Sequence, residues 1–138
     1  MDITREELEQ LMADSAANAI ETTRDEFGIE LDGSVDSIKL VDDVLLQWLS
    51  KYQDQVLEDN AVFTLCNIYG AYIGEVFIKI VGGHWKYDTS DPEAPFVALE
   101  FGGHEYAFAG ICYQRLVNDS QISVNNYFHQ AVKNNQSE

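Results

Sequence analysis

The feature that most constrains this chain is the stretch Ala61–Trp85, its longest mostly apolar run. Apolar residues recur there at helical spacing, about 100° per residue, until Gly82-Gly83 ends the pattern. One face is broadly apolar and the opposite face is only partly polar, which is typical of a central core helix. A single acid and a single lysine make the run too mixed for a membrane span. The residues assigned to the apolar face are Val62, Phe63, Cys66, Tyr69, Gly70, Ile73, Gly74, Phe77, Ile80 and Val81.

Two acidic amphipathic helices are predicted before this run. The first spans Ile3–Phe27, with a capping box formed by Thr4 and Glu7 and a terminating Gly28. The second spans Val35–Tyr52, and a polar link follows it. The apolar stripe of the first helix consists of Leu8, Leu11, Met12, Ser15, Ala16, Ala19, Ile20 and Thr23. The polar face of the second is assigned Asp36, Lys39, Asp42, Asp43 and Gln47.

A small antiparallel meander is predicted after the glycine pair. Its strands are His84–Tyr87, Phe96–Phe101 and His104–Phe108, and Gly102-Gly103 forms a tight hairpin turn. A short helix over Gly110–Val117 and a last helix ending near Val132, capped by Ser123 or Ser120, complete the chain. We therefore predict one α+β domain over residues 1–138, with helices covering a small sheet.

The net charge of −16 narrows the classes of partner. Residues 1–60 hold 16 acids and 4 bases, whereas residues 61–138 hold 8 acids and 4 bases. Such a field repels nucleic acid and anionic membrane, and it attracts a basic protein. Solubility alone is the alternative explanation. No export leader is recognisable, so we expect a cytoplasmic protein whose two cysteines are buried thiols.

No motif in the sequence specifies a reaction. Cys66 and Cys112 lie in apolar surroundings, and no nucleophile elbow, phosphate loop or dinucleotide fingerprint occurs. Two similar segments occur, Gly-Gly-His-Trp at 82–85 and Gly-Gly-His-Glu at 102–105. Their histidines do not have the spacing of metal ligands. We accordingly predict no metal and no cofactor, and we assign no catalytic residues.

Two glycines and one acid stand out within the predicted core helix. Gly70 and Gly74 are one turn apart, and each costs about 1 kcal/mol of helix propensity, so we expect a close crossing with the first or second helix. Glu75 has two interpretations that remain open. It forms a surface pair with Lys79, or its carboxylate lies beside Tyr72 in a pocket.

The run YGAYIGEVFIKIVGGHW, followed by a hairpin and Tyr113-Gln114-Arg115-Leu116, resembles a group of bacterial domains of unknown function. Those domains show a Gly-x-Tyr-x-Gly-Glu helix, then Gly-Gly-x-Trp, and later an aromatic and a basic residue before Leu. The resemblance covers about residues 60–128 and departs from the group at Ala107 and Gln114. It implies the architecture and a bacterial origin, and it directs attention to Glu75, Trp85 and Arg115.

Arg115 lies alone in an apolar segment, so we predict that it packs near Glu75 or Trp85 and fastens the C-terminal helices to the core helix. The candidate binding residues are then Tyr72, Glu75, Trp85 and Arg115. The leading function is a non-enzymatic interaction domain, such as an immunity or antitoxin-like inhibitor of a basic partner. The alternative is a small enzyme or ligand-binding domain with a Tyr72/Glu75/Arg115 site. A homodimer formed through the apolar helices is a third expectation.

Overall fold

The computed structural model describes residues 4–51, 59–89, 96–118 and 121–134. Helices dominate these ranges, and the strands form one antiparallel sheet, which confirms the predicted α+β class. A π-helical turn, Gln114–Asn118, continues the fourth helix. The elements are α1 Arg5–Phe27, α2 Ser37–Lys51, α3 Asp59–Ile80, β1 His84–Asp88, β2 Phe96–Phe101, β3 His104–Tyr106, α4 Phe108–Tyr113 and α5 Val124–Asn134.

Helix α3 is the predicted core helix, and α1 and α4 pack along it. By length and composition Ala61–Ile80 is apolar enough to cross a membrane, but 61% of its most apolar window is buried in the fold. The predicted faces hold only in part. Ile68 and Tyr72 are buried although they belong to the less apolar face, whereas Phe63 and Ile80 are exposed although they belong to the apolar face.

Aromatic packing joins the sheet and the C-terminal helices to α3. The ring of Phe77 is fully buried, and its centroid lies 5.5 Å from Tyr106, 5.8 Å from Phe108 and 6.2 Å from Phe128. Aromatic side chains each bury roughly 150–250 Å² and therefore dominate the energetics of such a core. One residue of α3 thus contacts β3, α4 and α5.

Helix α1 begins and ends as predicted. Glu7 N donates to Thr4 Oγ1 (3.1 Å), Thr4 N donates to Glu7 Oε1 (3.0 Å), and Gly28 closes the helix at φ 68°. The bonds from Thr4 lower the pKa of Glu7, so the capping box stabilises α1 at neutral pH and is lost as acidification protonates that carboxylate. The predicted stripe is wrong at Leu11, which is 50% exposed because it lies beside the buried row.

The sheet has the strand order β1-β2-β3, with β1–β2 and β2–β3 both antiparallel. The predicted glycine hairpin is confirmed, since Gly102 (φ 63°) and Gly103 (φ 81°) both have the left-handed backbone of a type I′ turn. The third strand is shorter than predicted. Ala107 leaves the strand conformation (φ −95°, ψ 77°), and Phe108 begins α4 and turns into the core.

The start of α5 agrees with the prediction, whereas the predicted end of α2 cannot be compared with the described residues. Ser123 caps α5 as predicted, because its Oγ accepts from Asn126 N at 3.1 Å; Ser120 lies outside the described residues. The predicted end of α2 at Tyr52 and most of the link after it also lie outside them. Asp59 and Asn60 belong to α3.

Both predicted glycine contacts are close, but neither partner is α1 or α2. A Cβ at Gly70 would lie 2.6 Å from Ala109 N in α4. A Cβ at Gly74 would lie 2.0 Å from Cη2 of Trp85 in β1. The crossing prediction was wrong about the neighbours because helical spacing shows that a residue is small without showing which element packs there.

Candidate functional site

Glu75 and Trp85, two of the predicted binding residues, lie together. The indole Nε1 of Trp85 donates to Glu75 Oε2 at 2.8 Å, and the ring packs on the bare backbone at Gly74. Glu75 makes this bond instead of the surface pair with Lys79. The Trp85 side chain is buried at 4% exposure, whereas Glu75 keeps partial contact with solvent.

A groove of about 400 Å³ runs over this pair, between α1 and the junction of α3 with β1. Glu6 and Glu9 from α1 and Glu75 from α3 line it, with His84 also in its wall. Trp85 and Ile78 supply apolar lining. We call this site the acidic groove. Its negative charges come from two helices that the chain brings together only by folding.

The polar side chains beside the acidic groove are already paired along the sheet. His84 Nε2 lies 3.0 Å from Glu100 Oε1, and Lys86 Nζ lies 2.9 Å from Glu105 Oε2. The hydrogen bond and charge of Glu105 raise the pKa of Lys86, which therefore stays charged at neutral pH.

Within the groove itself the acids are less fully paired. Glu9 pairs with Arg5 at 3.3 Å in an exposed position, while Glu6 makes no ion pair among the residues that the structure describes. Surface pairs of the Arg5–Glu9 kind are weak and easily exchanged. The groove consequently retains carboxylates that can bind an incoming cation.

Tyr72, the third predicted binding residue, faces the connector between α1 and α2. Its hydroxyl accepts from Gly33 N at 2.9 Å and lies 2.5 Å from Ser37 Oγ, and its side chain is 2% exposed. Burial raises the pKa of this phenol, so it stays protonated. The adjacent Tyr69 similarly contacts Thr23 of α1 at 2.8 Å and accepts from Trp48 Nε1 of α2 at 3.0 Å.

Tyr72→Phe is expected to lower the free energy of unfolding by about 1–2 kcal/mol, because it leaves Gly33 N without its acceptor and removes the hydrogen bond to the buried Ser37 hydroxyl. Chemical denaturation measures this loss. Tyr87→Phe is the control, since Tyr87 is 41% exposed, and its effect should stay within about 0.5 kcal/mol. Equal stability of the Tyr72 and Tyr87 variants would contradict the structural role of the Tyr72 hydroxyl.

Arg115, the fourth predicted residue, forms its ion pair elsewhere. Its Nε lies 3.2 Å from Asp42 Oδ1 and donates to the main-chain oxygen of Asp42 at 3.2 Å, and Nη1 donates to Ile122 O. The predicted contact with Glu75 or Trp85 is therefore wrong. Arg115 joins the C-terminal segment to α2 instead of to α3.

The direction of α4 explains this error. Ala109 lies at Gly70 and Tyr113 stacks on Phe63, so α4 runs antiparallel to α3 and carries Arg115 towards the N-terminal end of that helix. Glu75 is about 18 Å further along α3 than Phe63 at 1.5 Å per residue. The composite Tyr72/Glu75/Arg115 site is consequently not assembled.

Asp42 was predicted to lie on the polar face of α2, but it is buried. It is 9% exposed, and its carboxylate accepts from Val124 N (2.7 Å), Asn125 N (2.9 Å) and Ser123 Oγ (2.9 Å). It thus caps the start of α5 while pairing with Arg115. The spacing already indicated this burial, because Asp42 is four residues after Ile38 and three before Leu45, two apolar residues of the same helix.

Neither thiol is suited to nucleophilic chemistry. Burial raises the pKa of Cys66 to about 12 and raises that of Cys112 as well, so both remain protonated at neutral pH. In the described ranges, no three His, Cys, Asp or Glu side chains are grouped so that they could hold a metal ion. The predicted absence of metal and cofactor stays a prediction.

Comparison with known proteins identifies a solved structure with a similar fold. No family model matches this chain, and no curated protein matches it. A crystal structure of a protein from Bacteroides thetaiotaomicron VPI-5482 is similar, with a TM-score of 0.65 and 13% sequence identity. The match covers 96% of this chain and 46% of that one, so the chain spans about half the length of the bacterial protein. At this identity the likeness shows the fold alone.

Proposed function

We propose that this chain is a non-enzymatic binding domain that captures a basic segment of a partner protein in the acidic groove. One observation carries the proposal: Glu6, Glu9 and Glu75 converge from two helices on one groove with apolar lining. Long basic side chains match such a site because their stems pack on apolar surface while their charged ends meet carboxylates.

The net charge of −16 supports the same kind of partner. A strongly acidic protein draws a basic one through long-range attraction, which raises the association rate. An acidic surface is electrostatically complementary to a positively charged one, so a domain of this charge can bind over a basic surface of an enzyme and block it. We therefore propose an immunity or antitoxin-like inhibitor as the particular class.

The alternative, a small enzyme or ligand-binding domain, has less support. It needs Tyr72, Glu75 and Arg115 to converge, but the Tyr72 hydroxyl bonds to Ser37 and the Arg115 guanidinium bonds to Asp42. Glu75 remains near solvent beside the Trp85 indole. That arrangement favours recognition of a cation over acid–base catalysis.

The test compares two variants with the same change of charge. The groove variant is Glu6→Gln, Glu9→Gln and Glu75→Gln, in which the glutamine at 75 still accepts from the Trp85 indole. The control is Glu21→Gln, Glu30→Gln and Asp36→Asn, three exposed acids outside the acidic groove. Glu7 is left unchanged because it belongs to the capping box.

Binding of a labelled arginine-rich peptide is measured by fluorescence anisotropy. The groove variant is expected to bind about tenfold more weakly, since three partly exposed ion pairs contribute roughly 0.2–1 kcal/mol each. The control should lose less than about threefold, through the general field alone. Equal losses of affinity in the two variants, at unchanged melting temperatures, would show that the peptide responds only to the net charge of the protein. That result would contradict the proposed groove site.

A further inference from the structure

One of the two carboxylate oxygens of Glu75 in the acidic groove is already engaged from inside the fold. The indole Nε1 of Trp85 donates to Glu75 Oε2 at 2.8 Å, and Trp85 is only 4% exposed. In the part of the chain that the structure describes, Glu75 Oε1 makes no hydrogen bond. Glu75 therefore offers an incoming cation one free oxygen instead of two.

The two acids on α1 are less constrained than Glu75. Glu9 Oε2 lies 3.3 Å from Arg5 Nε, but both side chains are exposed, and such a pair exchanges readily with an incoming cation. Glu6 lies one turn earlier on the same side of α1 and makes no ion pair within the described ranges. The bond from the buried Trp85 indole is consequently a fixed constraint on the acidic groove, whereas the Arg5–Glu9 pair is not.

Lysine and arginine side chains use a carboxylate differently. A guanidinium binds a carboxylate most strongly when two parallel N–H groups meet both of its oxygens, whereas an ammonium donates from a single compact nitrogen. At Glu75 the two-oxygen arrangement has to compete with the Trp85 indole for Oε2, and a buried N–H that loses its acceptor costs free energy. An ammonium needs only Oε1 and leaves the indole bond intact.

We propose that Trp85 makes the acidic groove selective for lysine over arginine side chains of the basic partner. This inference rests on the proposed function and names the residue type that the acidic groove recognises. The apolar lining from Ile78 and Trp85 suits the unbranched hydrocarbon stem of lysine. Carboxylates with both oxygens free bind arginine at least as well as lysine, so net charge alone does not produce a preference for lysine.

Fluorescence anisotropy tests this with two labelled peptides of equal length and charge, one with lysine and the other with arginine at every basic position. The wild-type chain should bind the lysine peptide about threefold more tightly. Trp85→Phe removes the indole donor and frees Glu75 Oε2, so the ratio of affinities should fall to about one or turn in favour of arginine. Trp48→Phe is the matched control. Its indole also donates to a buried acceptor, the Tyr69 hydroxyl at 3.0 Å, but Trp48 does not line the acidic groove, so the wild-type ratio should persist.

An arginine peptide that binds the wild-type chain at least as tightly as the lysine peptide would overturn the inference, and so would an undiminished lysine preference in Trp85→Phe. Thermal melts show whether Trp85→Phe folds. If it does not, Glu75→Gln decides, because it removes the carboxylate but keeps an acceptor for the indole; the lysine preference should disappear, and its survival would overturn the inference. The proposed function is tested by a different comparison, the loss of affinity in the triple groove variant against its control. The groove site can therefore be right while the lysine preference is wrong.

Discussion

Asp42→Ala is expected to lower the free energy of unfolding by about 3–5 kcal/mol, the usual cost of leaving one member of a buried ion pair without its partner. The substitution removes more than the charge opposite Arg115. It also removes the acceptor for Val124 N, Asn125 N and Ser123 Oγ, so the first turn of α5 keeps only the Ser123 cap on Asn126 N. Chemical denaturation with a two-state fit measures the loss.

Asp43→Ala is the matched control for this prediction. Asp43 is the next residue of α2 and has the same charge, but it is exposed, so its replacement should change stability by less than about 0.5 kcal/mol. The pair itself is isolated by comparing Asp42→Leu, Arg115→Met and the double variant, which should lose less than the two single variants together. If Asp42→Ala and Asp43→Ala unfold at the same denaturant concentration, the ion pair contributes nothing to stability.

Local signals in the sequence were sufficient to predict both caps of α1 and the β2–β3 hairpin. The Thr4–Glu7 capping box, the left-handed Gly28 and the Gly102-Gly103 turn each depend on residues within one turn of one another. Such features need no knowledge of the rest of the fold. The α+β class followed because the apolar period changed after Gly82-Gly83.

Contacts between residues far apart in the chain could not be predicted from the sequence. Arg115 was expected to contact Glu75 because both are isolated charges, but Asp42 of α2 lies 73 residues away in sequence and is the actual partner. Several acidic residues were possible partners for Arg115. Periodicity does not indicate which helix packs beside α4. The same limit applies to the acidic groove, where Glu75 could be identified in advance but Glu6 and Glu9 became its neighbours only through the packing of α1.

Gly70→Ala is expected to lower the free energy of unfolding by about 3 kcal/mol, at the upper end of the usual cost of overpacking. The new Cβ would lie 2.6 Å from the backbone N and 2.7 Å from the Cα of Ala109, so no side chain can move aside. Helix α4 would have to shift, and it anchors Phe108 and Cys112 in the core. Gly74→Ala should cost about 2 kcal/mol, since the Trp85 ring can tilt if it gives up its bond to Glu75.

Gly110→Ala separates packing from helix propensity. Gly110 is also helical, but it is exposed, and an added Cβ would approach only the Ala107 Cβ, at 3.3 Å. Alanine is favoured over glycine in a helix by up to about 1 kcal/mol, so this variant should be neutral or stabilised. Thermal melts of the three variants should therefore rank Gly110→Ala above Gly74→Ala and Gly74→Ala above Gly70→Ala. A Gly70→Ala melt as high as that of Gly110→Ala would mean that α3 and α4 do not approach closely at this glycine.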